Sequence, residues 1–373
     1  MKLWCISHTP LLVSKMSHRS STLSNRRSPV SAIADVARLA GVSKSTTSRA
    51  LSGNGYVSEE TRSRVERAAA EIGYVPSSIA SSLATGLTRN VGVVIPFVNR
   101  WFFAEVLEGI ESALISAGYD LTLYQLHADD TRRQRVFDYS LARKRVDAVI
   151  AVGISLSTHE VTSLKALGKP IVGIGGDIPA ISTLSIDDAG ASRFLTEHLI
   201  SLGHTRIIHL GGNLREQMDF AVHSLRLAGV RQALAAAGLS HDDDFRAVPY
   251  SIPGGYSGAL AVLSDPSTRP TAIVAGCDEI AIGAILAARQ LGIAVPAQLS
   301  IVGIDGHALG EMFGLTTLEQ YPSMQGERAV QMILDRLQPG ADALDDERIT
   351  IPVSFVVRQS STAPPRGSRP AER

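Results

Sequence analysis

Only two cysteines occur in the chain, Cys5 and Cys277. They cannot build a disulfide framework, and they fit a reducing compartment. No run of about 18 uncharged apolar residues is present, so no transmembrane helix is expected. The N-terminal apolar patch of Leu11, Leu12 and Val13 is interrupted by His8, Pro10 and Ser14 and makes a poor secretory signal. His198, His204 and His209 lack the spacing that would bring them onto one metal ion. Gly211-Gly212 is only a fragment of a dinucleotide fingerprint, and GYSG (255–258) does not centre its serine as a nucleophile elbow requires. With neither a phosphate loop nor an acid–base set, the sequence is read as a non-enzyme with no metal and no cofactor.

Net charge is also missing: Lys+Arg 36 balance Asp+Glu 36. The balance conceals two unequal parts. Residues 1–90 hold twelve basic against five acidic side chains, and residues 91–373 hold 24 against 31. A short basic head on a long acidic body suggests division of labour, with nucleic acid as the partner of the head. The 373 residues, 45% hydrophobic, suffice for two or three units at roughly 100–200 residues each.

The Ser-rich stretch 1–29 shows no helical or strand period and is read as a disordered tail. Apolar spacing begins with Ile33, Val36, Ala37 and Ala40, one face of a short helix that Gly41 stops. Ser43 can cap a second helix from Lys44 to Leu51, with Thr47, Ala50 and Leu51 inward. After the turn Gly53-Asn54-Gly55, a third helix opens at Ser58-Glu59-Glu60 and buries Val65, Ala68, Ala69 and Ile72. Residues 30–76 therefore predict a three-helix domain. Beyond Arg89 the texture is α/β. Strand-like runs fall at 91–97, 120–126, 147–153, 170–175, 206–212, 271–276 and 299–305, with amphipathic stretches between most of them. Continuous Val/Ile strands alternating with helices imply parallel sheets covered on both faces. This length predicts two doubly wound parallel-sheet subdomains rather than one sheet.

Residues 33–51, IADVARLAGVSKSTTSRAL, have the form of a helix-turn-helix, whose second helix can enter the major groove. Lys44 and Ser45 then stand where base edges are read. Ser43, Thr46 and Ser48 suit phosphates, and Arg49 suits a phosphate or a guanine. At this point the sequence resembles the lac repressor (LacI/GalR) family of bacterial transcription factors. The resemblance continues through YVSEETRSRVERAAAEIGYVPSSIASSL, FFAEVLEGIE, EHLISLGH, SLRLAGV, DEIAIGAI and LSIVGID, over about residues 32–358. It implies an effector-binding core like that of periplasmic binding proteins, at 90–360. The first subdomain of that core is placed at about 90–188 and 321–345, the second at about 189–315 and 346–358, and a disordered tail at 361–373. Lys44 and Ser45 match the family's base-reading pair and Arg49 its basic partner. Thr47 departs from the usual Val, and its hydroxyl can bond back to the Ser43 carbonyl.

The resemblance further implies a hinge helix in 77–89, with Leu83 matching a leucine wedged between base pairs in the minor groove. Its serines fit marginal stability, because an isolated helix this short does not hold in water. The effector cleft is expected where strands end, as in open α/β sheets. Phe97, Asn99, Trp101 and Phe102 follow the first strand, Gly175, Gly176 and Asp177 a later one, and Tyr250, Asp278 and Asp305 close others. Arg226 lies where the family holds an arginine, Tyr250 where an aromatic platform is common, and Gln320 on the crossover strand. Carboxylates, a guanidinium fork and an aromatic face suit a carbohydrate. Cys277 beside Asp278, and the absence of an acidic side chain at Gly175, point away from galactosides. A cytoplasmic, homodimeric, effector-controlled repressor of a near-palindromic operator is therefore expected. A periplasmic sugar carrier would lack the DNA-binding head, and the tail shows no heptads for a tetramerising coiled coil.

Overall fold

A computed structural model describes residues 33–52, 55–74, 86–126, 130–141, 143, 145–176, 178–213, 221–240, 243–338 and 346–365. The chain divides into two compact units. The tail 1–29, the hinge residues 77–85 with Leu83, and Asp177 lie outside the described residues.

The first unit is three helices: α1 (Ile33–Ala40), α2 (Lys44–Ser52) and α3 (Glu59–Glu71). Together they bury a common core of small apolar side chains: Val36 and Ala40 from α1, Ala50 from α2, and Val65, Ala68 and Ala69 from α3. Gly41 takes a positive φ of 67° between α1 and α2, a conformation costly for any residue with a Cβ. The Ser43 Oγ accepts from the Thr46 amide at 3.1 Å and caps α2. Ser58 does the same for α3 through the Thr61 amide. Thr47 is fully buried, and its hydroxyl donates back to the Ser43 carbonyl at 3.0 Å.

The second unit holds two six-stranded sheets. In the first, the strand order is β11-β5-β4-β3-β1-β2, with β1 (Asn90–Ile95), β2 (Asp120–Gln125), β3 (Ala148–Val152), β4 (Ile171–Ile174), β5 (Ser182–Ser185) and β11 (Arg348–Thr350). The second has the order β12-β10-β9-β8-β6-β7, with β6 (Ile207–Gly211), β7 (Phe245–Ala247), β8 (Ala272–Ala275), β9 (Ser300–Asp305), β10 (Thr316–Glu319) and β12 (Ser354–Val356). All pairs are parallel except β10 with β12. The expected doubly wound pair of sheets is thus present. β1, β3, β8 and β9 are buried almost end to end, as parallel strands covered on both faces must be.

Helices α4 (Trp101–Ser116), α5 (Asp130–Arg135), α6 (Thr158–Lys165) and α11 (Pro322–Arg336) belong to the first lobe. α7 (Asp188–Ser201), α8 (Val222–Ala236), α9 (Ile252–Leu263) and α10 (Asp278–Gln290) belong to the second. α4 and α11 approach closely because Gly109 faces the Ser323 carbonyl and Gly326 the Val106 carbonyl, where any Cβ would collide. Among the described residues, no helix is long and apolar enough to cross a membrane.

Two expected boundaries move. Residues 346–358 were placed in the second subdomain, yet β11 extends the first sheet, pairing Arg348 with Thr183 and Thr350 with Ser185. Hydrogen bonds from the Thr183 amide to the Glu347 carbonyl and from the Ile351 amide to the Ser185 carbonyl carry that ladder past both ends. The chain therefore passes between lobes after β5, after β10 and again between β11 and β12. Residues 361–365 were placed in a disordered tail. The Thr362 amide instead donates to Ser300 Oγ at 3.0 Å, and the Thr362 carbonyl lies 2.8 Å from His204 Nε2.

Candidate functional site

The start of α2 offers a polar, solvent-facing edge. Ser43, Lys44, Ser45, Ser48 and Arg49 are exposed, and Thr46 is half-buried. The Ser43 hydroxyl is engaged as the helix cap and also lies 2.8 Å from Ser45 Oγ and 2.9 Å from Thr46 Oγ1. Arg49 folds back so that Nε donates to the Ser45 carbonyl at 3.3 Å. Lys44 extends from the first turn, next to amides that carry the positive end of the helix dipole. This edge can donate to anionic oxygens and to acceptors on base edges.

A second constellation surrounds a cavity of about 90 Å³ between the lobes, at the carboxyl ends of the strands. Its aromatic wall comes from the segment after β1, where Phe97 meets Phe103 edge-on at 5.7 Å and Phe102 meets Phe103 at 5.4 Å. The opposite wall is polar. Arg226, on the first turns of α8, donates Nε–H to Asp188 Oδ1 at 2.8 Å and Nη1–H to the Gly276 carbonyl. Burial works against its charge, but Asp188, Tyr250 and Asp305 outweigh that, and its pKa moves upward. Arg226 is a cation in this wall.

Asp305 ends β9 with φ 142°, followed by Gly306 at 77°. This strained turn aims a buried carboxyl into the cavity. Gln320 Nε2 donates to Asp305 Oδ1 at 2.6 Å, and Gln325 Nε2 donates to the Gln320 carbonyl at 2.6 Å. Burial pushes Asp305 well above the usual carboxylate range; Arg226 opposes the shift and Asp278 adds to it. His223 and Tyr250 pack ring against ring at 4.2 Å and complete this side.

Of the residues expected in the cleft, Phe97, Phe102, Arg226, Tyr250, Asp305 and Gln320 line the cavity. Asn99 does not; it is exposed in the turn before α4. Asp278 does not either. Fully buried, it accepts from the Gly306 and His307 amides at 3.0 and 2.8 Å and from Thr317 Oγ1 at 2.7 Å. Asp278 thus pins the turn that carries Asp305. Burial raises its carboxyl to about 6 against these three donors.

The cavity also contains Asp188, His223, Glu279, Arg100, Phe103 and Gln325, which the sequence reading did not single out. Neighbours explain two omissions. In Asp187-Asp188 the first carboxylate caps α7 through the Gly190 amide at 2.9 Å, and the second faces Arg226. In Asp278-Glu279 the roles fall the same way, Asp278 holding the turn after β9 and Glu279 facing the cavity, because adjacent helical residues point about 100° apart. Cys277 lines the cavity as a buried thiol pushed upward by burial.

Comparison with known proteins bears on both constellations. The profile of bacterial regulatory proteins of the lacI family matches residues 32–77, and that of the periplasmic binding protein-like domain matches 196–361. The ribose operon repressor of Escherichia coli (strain K12) is 31% identical over 345 residues, 88% of this chain and 98% of that protein. The HTH-type transcriptional repressor PurR of Vibrio campbellii is 31% identical over 317 residues, 82% of this chain and 92% of that protein. Among solved structures, the lac repressor dimer bound to operator and the anti-inducer ONPF has a TM-score of 0.78 at 26% identity. That match covers 89% of this chain and 99% of the other.

Proposed function

The chain belongs to the lacI family of bacterial regulatory proteins, and from that premise we propose that it is an operator-binding transcriptional repressor. A small polyhydroxylated effector, a sugar or sugar derivative, held between Arg226 and Asp305 controls its grip on DNA. One observation carries the effector reading. Arg226 keeps N–H donors, and Asp305 keeps Oδ2, without a partner among the described residues, and both side chains line one cavity. Buried polar groups left in this state favour a ligand that supplies the missing partners. A hydroxyl does both, accepting from the guanidinium and donating to the carboxylate. The Phe97–Phe102–Phe103 wall gives the apolar face of a sugar ring its contact, and Tyr250 and Gln320 bound the pocket.

At the DNA end, Lys44 and Ser45 read bases, and Ser43, Thr46, Ser48 and Arg49 hold the backbone. Leu83 is assigned the minor-groove wedge. Two copies as a homodimer would present two such helices to the half-sites of a near-palindromic operator in the cytoplasm. We assign no catalytic step to the cavity, whose polar groups are arranged to hold hydroxyls. The coupling is reciprocal: an effector that lowers operator affinity is itself bound less tightly by the DNA complex.

The test is operator binding by fluorescence anisotropy, with and without sugars that raise the melting temperature of the chain. Arg226→Ala and Asp305→Ala are expected to keep operator affinity within about threefold and to lose the effector response. A normal response from both variants would refute the assignment of this cavity.

A further inference from the structure

α4 begins at the mouth of the cavity without a cap of its own, since Arg100 at the N-cap position makes no side-chain hydrogen bond to the helix. The compensating charge comes from the other lobe. Glu279 on α10 lines the cavity beside Arg100, and the Arg100 guanidinium and the Trp101 amide both favour its carboxylate against burial. An anion at this place also meets the positive end of the α4 dipole. The Trp101 ring makes the second crossing. It stacks on His307 with centroids 4.7 Å apart and planes at 25°.

His307 is held rigidly on its own lobe: its amide donates to Asp278 at 2.8 Å, and its Nδ1 accepts from the Leu309 amide at 2.9 Å. The mouth carries one opposing element. Trp101 Nε1 is buried with no hydrogen-bond partner among the described residues, a donor that water would satisfy if the lobes parted. Attraction and penalty meet at one helix start, so the contact is poised to open.

Behind this mouth lies the cavity of about 90 Å³. Three carboxylates line the space, on Asp188, Glu279 and Asp305, against two guanidinium groups, on Arg100 and Arg226. Arg226 already pairs with Asp188. A phosphate here would sit among carboxylates with little uncommitted positive charge.

We propose that Glu279 and Trp101 latch the two lobes across the mouth, and that the latched cavity admits uncharged sugars while excluding phosphorylated ones. The charge limit rests on the effector reading of the cavity; the latch does not. Glu279 is a positioning residue, acting through α4.

The latch is tested without ligand. Trp4 and Trp101 are the two tryptophans, so in a Trp4→Phe background fluorescence reports Trp101 alone. Glu279→Ala is expected to raise the acrylamide quenching constant at least twofold. Glu279→Gln, which keeps an acceptor oxygen but not the charge, should fall between Glu279→Ala and the parent. Arg100→Ala, at a partly exposed position, should shift quenching in the same direction and serves if Glu279→Ala does not fold. Unchanged quenching in the alanine variants overturns the latch.

The charge limit is tested on the parent chain by melting temperature with ribose, a panel of neutral hexoses, cellobiose and ribose 5-phosphate. A rise with a neutral sugar and none with ribose 5-phosphate is expected. A comparable rise with ribose 5-phosphate overturns the limit. No rise with any of them overturns the effector reading of the cavity, while quenching still decides the latch.

Discussion

Asp188 and Arg226 form an ion pair at 2.8 Å with side chains only 7% and 5% exposed. Taking charges out of water is costly, and a pair repays it only while both partners remain. Asp188→Ala would leave a buried guanidinium without its counter-ion, and the expected loss is about 3–5 kcal/mol of unfolding free energy in urea. Replacing both, with Asp188→Leu and Arg226→Met, should return most of that stability and still abolish the effector response. A single variant within about 1 kcal/mol of the parent would mean that solvent reaches the pair. The same pair shows what a sequence can disclose. Arg226 and Asp305 were legible because one matches a family position and the other ends a Val/Ile strand. Asp188 was not, since nothing local distinguishes it from the capping Asp187, and its partner lies 38 residues away. At 278–279 the reading chose the carboxylate beneath the β9 turn over the one facing the cavity, because strand-end logic fixes the place of a loop and not the rotation of the helix after it.

At the scale of elements, α2 divides its polar residues between holding itself together and facing outward. Ser43 caps the helix and anchors a hydroxyl cluster with Ser45 and Thr46, whereas Lys44 extends into solvent. Ser43→Ala should cost about 1 kcal/mol of stability in the three-helix unit, weakening binding evenly across DNA sequences. Lys44→Ala should instead flatten the preference at one base pair per half-site, worth about 1–3 kcal/mol. Competition with single-base operator variants separates the two; an even loss for Lys44→Ala would make it a phosphate contact. Legibility of the strands follows a similar division. β1, β3, β8 and β9 announce themselves as apolar runs of four to six residues. STLS, FRA, TTLE, RIT and SFV do not, being three or four residues long with polar side chains. They are strands because neighbouring ladders extend onto them. This is why β11 was assigned to the wrong sheet: its register is set by β5, more than 160 residues earlier.

Across the whole molecule, the charge balance of zero says little, but the burial of titrating groups makes a definite pH signature. His209 donates from Nδ1 to the Val274 carbonyl at 2.9 Å if it carries its proton there, and burial holds its pKa down to about 4 from 6.5. Burial lowers His198, His204 and His307 too. The unfolded chain takes up these protons more readily than the folded one, so their contribution is complete above about 6.5 and is lost as the pH falls, for His209 through about 4. Asp278 has the opposite sign. Its carboxyl rises to about 6 from 3.8, so the folded chain binds that proton more readily, and its contribution is complete below about 4 and lost as the pH rises through about 6. Asp305 and Glu279 are raised in the same direction. Between pH 4 and 6 the two sets oppose each other, each large shift worth about 3 kcal/mol at full burial. The parent chain should therefore show a shallow dependence of its urea midpoint on pH in that window. Removing one side should expose the other. His209→Asn, whose amide can still donate to Val274, should tilt the profile toward greater stability at acid pH. Asp278→Asn should tilt it toward greater loss. Parallel profiles for the parent and both variants would show that neither group titrates between its folded and unfolded values, and would overturn the burial argument for both.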